Sequence, residues 1–79
     1  MYIRSQDKTV LSEMHSVQID ESDNGEKWLI RNLYSKDDYE TIAEYKSKKT
    51  ALKVLDFIQN EIEDGMTFTI NLPREDEVE

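Results

Sequence analysis

Seventy-nine residues make one domain at most, and 18 acidic against 10 basic residues leave a net charge of −8, which repels polyanions such as nucleic acid and anionic membrane. With no cysteine and one histidine, the chain has neither a disulfide framework nor the usual zinc ligands. No apolar run approaches the roughly 20 residues that span a bilayer, and Met1-Tyr2-Ile3-Arg4-Ser5-Gln6-Asp7 has no apolar signal core, so a cytoplasmic location is expected.

In chain order, Tyr2 to Gln6 reads as a first strand, closed by Asp7-Lys8. Val10, Ser12 and Met14 keep one phase, while Val17 and Ile19 take the other. That slip predicts a bulge or break near His15-Ser16. Asp23-Asn24-Gly25 is a hairpin signal, because Asn and Gly tolerate the positive φ of a type I′ turn. Lys27 to Tyr34 follows as a strand with Trp28 and Ile30 on one face and Leu29 and Leu33 on the other, which predicts a central position. After a turn at Ser35 to Asp38, Tyr39, Thr41, Ala43 and Tyr45 share one face of a further strand, with Glu40, Ile42 and Glu44 opposite.

A helix is predicted from Ser47 to Asp64. Ser47 is a good N-cap, Gly65 a good C-terminal stop, and Ala51, Val54, Leu55, Ile58 and Ile62 form one apolar stripe between them. The period then switches to two: Met66, Phe68, Ile70 and Leu72 alternate with Thr67, Thr69 and Asn71 until Pro73 ends the strand. The expected fold is α+β in the order β-β-β-β-α-β: an antiparallel meander of four short strands, one amphipathic helix packed on the sheet, and a final C-terminal strand beside either the first or the fourth. Residues 1–73 form the single α+β domain, and residues 74–79 are expected to be a disordered acidic tail.

Few motifs carry chemistry. Asp20 to Gly25 matches the first oxygen ligands and the glycine of an EF-hand loop, but Arg31 stands where the bidentate glutamate belongs, so a hairpin turn is the better reading. His15 is the one obvious general-base candidate, yet neighbours in one strand, such as Ser12 and Ser16, do not assemble a nucleophilic site by themselves. No catalytic, cofactor or metal motif is present.

Two surface features stand out. Lys48, Lys49 and Lys53 lie at the positive end of the helix macrodipole, while Glu61, Glu63 and Asp64 crowd its negative end, so packing must stabilise the helix against its own electrostatics. With the free amides of the helix start, Ser47, Lys48, Lys49, Thr50 and Lys53 form a possible anion pocket; the competing reading is a surface cluster offset by acidic neighbours. Phe57 lies off the apolar stripe, either covered by a terminal segment or exposed as a partner anchor together with Tyr39 or Tyr45.

Tyr2-Ile3-Arg4-Ser5-Gln6-Asp7, with Glu44-Tyr45 leading into Ser47-Lys48-Lys49-Thr50-Ala51-Leu52-Lys53-Val54-Leu55, resembles a group of small proteins of Gram-positive bacteria and their phages. That group more often has glycine before the Glu-Tyr pair, where this chain has Ala43. The resemblance carries no established activity; it implies an accessory protein of the cytosol or of a prophage. The sequence therefore points to a small non-enzymatic interaction module with another protein as partner, a basic one by charge, acting as monomer or weak homodimer and needing no cofactor. The alternative is a small anion- or nucleic-acid-binding domain using the lysine cluster, which the net charge disfavours.

Overall fold

The computed structural model describes residues 1–66 and 68–78. Thr67 of the expected last strand and Glu79 of the expected tail lie outside the described residues. The described chain is α+β, with one α-helix and six strands in two small sheets.

The chain opens with β1 (Tyr2–Arg4), shorter than expected, and turns at Asp7-Lys8, where Lys8 takes a left-handed φ of 70°. Asp7 organises that turn: it accepts hydrogen bonds from the Thr9 hydroxyl at 2.6 Å, the Thr9 amide at 3.0 Å and the Ser5 hydroxyl at 2.8 Å. These bonds, those from Thr9 foremost, hold its carboxyl down to about 2. β2 (Leu11–Glu13) then returns antiparallel to β1.

The phase slip at His15-Ser16 is where the chain changes sheets. What reads as one strand is two, β2 and β3 (Ser16–Glu21). The buried side chain of Asn32 stitches the junction: its Oδ1 accepts from the His15 amide at 2.9 Å, and its Nδ2 donates to the Glu13 carbonyl at 3.0 Å. β3, β4 (Trp28–Leu33) and β5 (Tyr39–Tyr45) form the larger sheet in the order β3-β4-β5, all antiparallel, with β4 central as its two apolar faces predict. In the hairpin between β3 and β4 only Gly25 has positive φ, at 72°, so the turn is not type I′. The Gly25 amide donates to the Ser22 carbonyl, and the Asn24 side chain accepts from the Glu26 amide.

The predicted faces of β5 are corrected by a bulge. The register shifts between Ile30 and Arg31, so that Ile30 pairs with Ala43 and Arg31 with Thr41. The extra residue lets Ile42 and Ala43 both enter the core, and it turns Tyr39 and Thr41 to the outer face while Tyr45 stays inside.

The helix α1 (Lys48–Asp64) is built as its sequence dictates. The Ser47 hydroxyl accepts from the Thr50 amide at 3.1 Å, and Gly65 closes the helix in the left-handed region at φ 67°. Ala51, Val54 and Ile58 are buried against Ile30, Tyr45 and Ile70. Each fully buried aliphatic side chain in this layer contributes about 1.5–3 kcal/mol.

β6 (Thr69–Asn71) joins the smaller sheet beside β1, parallel to it, with Ile3 opposite Ile70. The four-stranded meander is matched in part: the first strand pairs antiparallel with β2, the leading half of the expected second strand, and β6 takes the place beside the first strand, but β3, β4 and β5 meander in a separate sheet. Ile70 and Leu72 are buried as expected, but Met66 is 82% and Phe68 88% exposed. β1 has partners for only three residues of the last strand, so the alternation outruns its sheet.

Residues 74–78, expected to be disordered, instead form a 3-10 turn at Glu75–Glu77. The Glu75 carboxylate accepts from the Lys46 amide at 2.8 Å, and Val78 packs half-buried on the core. Three successive acids at a terminus read as a solvated tail, whereas here the turn's backbone bonds are local and the Glu75 side chain ties it to Lys46, far along the chain. Among the described residues, no helix is long and apolar enough to cross a membrane.

Candidate functional site

Of the residues singled out in the sequence, Lys53 and Phe57 share a groove, while Tyr39 and Tyr45 do not line it. Tyr45 is 1% exposed and its hydroxyl donates to the Pro73 carbonyl at 2.6 Å, so it is a core residue and not an interface. Burial first, then the charges of Glu75 and Glu77, push its ionisation well above the ordinary tyrosine range. Phe57 is half-buried under the C-terminal segment, where it shares a groove with Pro73, Glu77 and Val78. Tyr39 alone of the three is exposed; it lies on the outer sheet face, with the Arg31 guanidinium 4.6 Å from its ring centroid.

The lysine cluster sits at the helix start as predicted. Ser47 Oγ already caps the Thr50 amide and lies 2.9 Å from Thr50 Oγ1, so both hydroxyls are engaged with each other. Lys48 Nζ lies 5.4 Å from the Trp28 ring centroid. Lys53 shares its groove with Glu77, and Glu75 binds the backbone just before the cap. The C-terminal acids thus lie against the lysine-bearing end of the helix.

His15 belongs to a polar cluster that ties β2, β4 and β5 together. Its ring meets Tyr34 edge-on at 4.9 Å, and the Tyr34 hydroxyl donates to Glu40 while accepting from Asn32 Nδ2. Hydrogen bonds from Ser12, then Tyr34, hold Glu40 below the usual carboxylate range; the bond to Glu40 raises Tyr34 in turn. The Asn32, Tyr34 and Glu40 side chains are engaged with one another or with the junction backbone, and the cluster's evident work is structural. Among the described residues, no group of three histidine or acidic side chains is placed to hold a metal.

The feature that sequence reading missed is an apolar groove between the C-terminal half of α1 and the edge of the larger sheet. Leu55, Ile58, Gln59, Ile62 and Glu63 form one wall, and Met14, His15 and Val17 form the other, around a volume of about 320 Å³. Ile62 closes the predicted stripe but stays 46% exposed at the rim, because the sheet ends before it can be covered. At the same end, the Met14 amide donates to the Met1 carbonyl and the Tyr2 amide to the Phe68 carbonyl, which brings the exposed Met1, Tyr2 and Phe68 together around one end of β1. The only sequence signal for this site was the coincidence of the phase slip at Met14–Val17 with a stripe one residue longer than the sheet needs.

No protein family matches the chain, and no curated protein or solved structure matches it.

Proposed function

We propose that this protein is a non-enzymatic accessory module that binds another protein through the groove between α1 and β3. The observation that carries the reading is the groove itself: an apolar depression, rimmed by exposed Ile62, in a chain whose residues are only 37% hydrophobic. A small protein with so little apolar surface gains stability by covering it, and apolar surface left open in a concave site fits recognition. The resemblance to small proteins of Gram-positive bacteria and their phages agrees with an accessory role in the cytoplasm.

A second reading, an anion site at Ser47, Lys48, Lys49, Thr50 and Lys53, draws on a first helical turn that contains no acid. The net charge of −8 and the acids of the C-terminal turn oppose it. Titration with inorganic phosphate and short oligonucleotides, followed by NMR, moves the amides of Lys46 to Lys53 if that reading holds and leaves them in place if it does not.

The test of the leading reading is a photo-crosslinking pair. A photoreactive phenylalanine replaces Ile62 at the groove or Tyr39 on the opposite face, positions with similar exposure of 46% and 49%. The reading expects a discrete protein adduct from position 62 and none from position 39. Adducts at 39 alone, or at neither site, contradict it.

A further inference from the structure

We propose that the groove's occupant is an extended, cationic segment of the partner protein, which joins β3 as a fourth strand of the larger sheet. This rests on the protein-binding reading above and specifies the partner's chemistry and its mode of docking.

The first ground is how the sheet edges are finished. β2 and β6 are edges of three residues each, too short to template another chain. The far edge of β5 is occupied by Gln6: its amide donates to the Ile42 carbonyl at 2.8 Å, its Oε1 accepts from the Glu44 amide at 3.0 Å, and its Nε2 donates to the Glu44 carbonyl at 3.0 Å. One glutamine thus satisfies that edge as a short strand would. β3 is different. It runs six residues, Ser16-Val17-Gln18-Ile19-Asp20-Glu21, and among the described residues no strand pairs with its outer side. It has no proline, lysine or bulge, the devices that ordinarily blunt an edge.

The second ground is register. The Ser22 amide donates to the Lys27 carbonyl at 2.9 Å, which makes Ser22–Lys27 a hydrogen-bonded pair of the β3–β4 ladder. Bonded pairs alternate in an antiparallel ladder, so Ser16, Gln18 and Asp20 spend their backbone groups on β4. Val17, Ile19 and Glu21 therefore direct their N–H and C=O groups to the open edge. The Val17 and Ile19 side chains pack toward the core, and Val17 lines the groove. A strand added here bonds to those backbone groups and lays alternate side chains against Leu55, Ile58 and Ile62.

The third ground is charge. Glu63 lines the groove, no lysine or arginine among the described residues does, and Glu21 ends the edge strand. The last turn of α1 contains no basic residue, so nothing in that turn offsets Glu63 or the negative helix end. Positive side chains on the incoming strand complement this rim. A second copy of the chain does not, because it brings another net charge of −8.

The probe is a blocked hexapeptide alternating lysine with valine, titrated into the whole isotope-labelled protein. The proposal expects the Val17 and Ile19 amides to shift and to exchange roughly tenfold more slowly, as newly bonded strand amides do. It expects the glutamate-for-lysine peptide, and the same lysine peptide N-methylated at alternate residues, to bind roughly tenfold more weakly. The exposed pair Glu21→Lys with Glu63→Lys should weaken the lysine peptide about tenfold as well, with the fold checked by its unchanged spectrum. Shifts limited to Leu55–Glu63, without slowed exchange at Val17 and Ile19, overturn strand addition while leaving the groove reading in place. Equal binding of the glutamate peptide overturns the cationic assignment. Absence of binding at millimolar peptide overturns the proposal, and the crosslink at position 62 then judges the groove reading separately. Concentration-dependent dimerisation with slowed exchange at Val17 and Ile19 in the absence of peptide overturns it in favour of a second copy.

Discussion

Asn32 offers the sharpest test of how the two sheets are joined. Its side chain is 0% exposed, on the inner face of the central strand, and it makes three hydrogen bonds: from the His15 amide, to the Glu13 carbonyl and to the Tyr34 hydroxyl. Asn32→Ala leaves the two backbone groups of the junction without partners and opens a void beside them. Glu13 and His15 are themselves exposed, so water recovers part of each loss, and about 1 kcal/mol per orphaned group is appropriate. With about 1 kcal/mol for the void, the expected cost is about 3 kcal/mol, a large share of the 5–15 kcal/mol typical of a whole domain. For a chain of this size that lowers Tm by about 12–24 °C. Urea unfolding followed by far-UV circular dichroism and by Trp28 fluorescence measures it, and the His15 amide should lose its exchange protection. Asn32→Asp keeps the acceptor for His15 but loses both donors and buries a charge, so at neutral pH it should be at least as damaging and should recover as the pH falls. A loss below about 1 kcal/mol for Asn32→Ala would show that something other than this side chain joins the sheets.

Other outcomes follow from the same contacts. Ending the chain after Pro73 removes the Glu75 bond to the Lys46 amide and uncovers Phe57; it should cost about 2 kcal/mol and increase binding of an apolar dye, whereas a disordered tail leaves both unchanged. Asp7 is held at about 2 against an ordinary 3.8, so its contribution to stability is complete above pH 3.8 and lost as the pH falls through about 2. Asp7→Asn should flatten the fall of the urea midpoint across that window, and superimposable curves contradict this. Ser47→Ala removes the cap on the Thr50 amide and should destabilise by about 1 kcal/mol, measured by thermal unfolding; no change would mean that Thr50 is satisfied otherwise.

The parts of the fold that are legible in the sequence are those coded locally. Ser47, the apolar stripe and Gly65 specify α1 within one stretch of chain, and the two apolar faces of β4 announce a central strand. The phase slip near His15-Ser16 is visible too, but not its consequence, because the change of sheet depends on Asn32, which lies far along the chain. The bulge at Ile42-Ala43 has no glycine or proline to mark it, so simple alternation misplaced the faces of β5. Met66 and Phe68 continue a two-residue period beyond the three residues that β1 pairs in register, and their side chains stay exposed. The candidate site was hidden for the same reason: Tyr45 and Phe57 stand out in the sequence yet are covered by Pro73 and Val78, while the groove is assembled from Met14–Val17 and Leu55–Glu63, which no local pattern connects.

In the reading proposed above, the partner engages this protein at the groove between α1 and β3. The direct measurement is an amide-resolved NMR comparison of the free protein with its complex, using the partner recovered through the crosslink at position 62. Binding at the groove concentrates shifts in residues 14–21 and 55–63 and slows exchange at Val17 and Ile19. Shifts confined to Lys46–Lys53, or to Tyr39–Thr41 on the opposite face, contradict it.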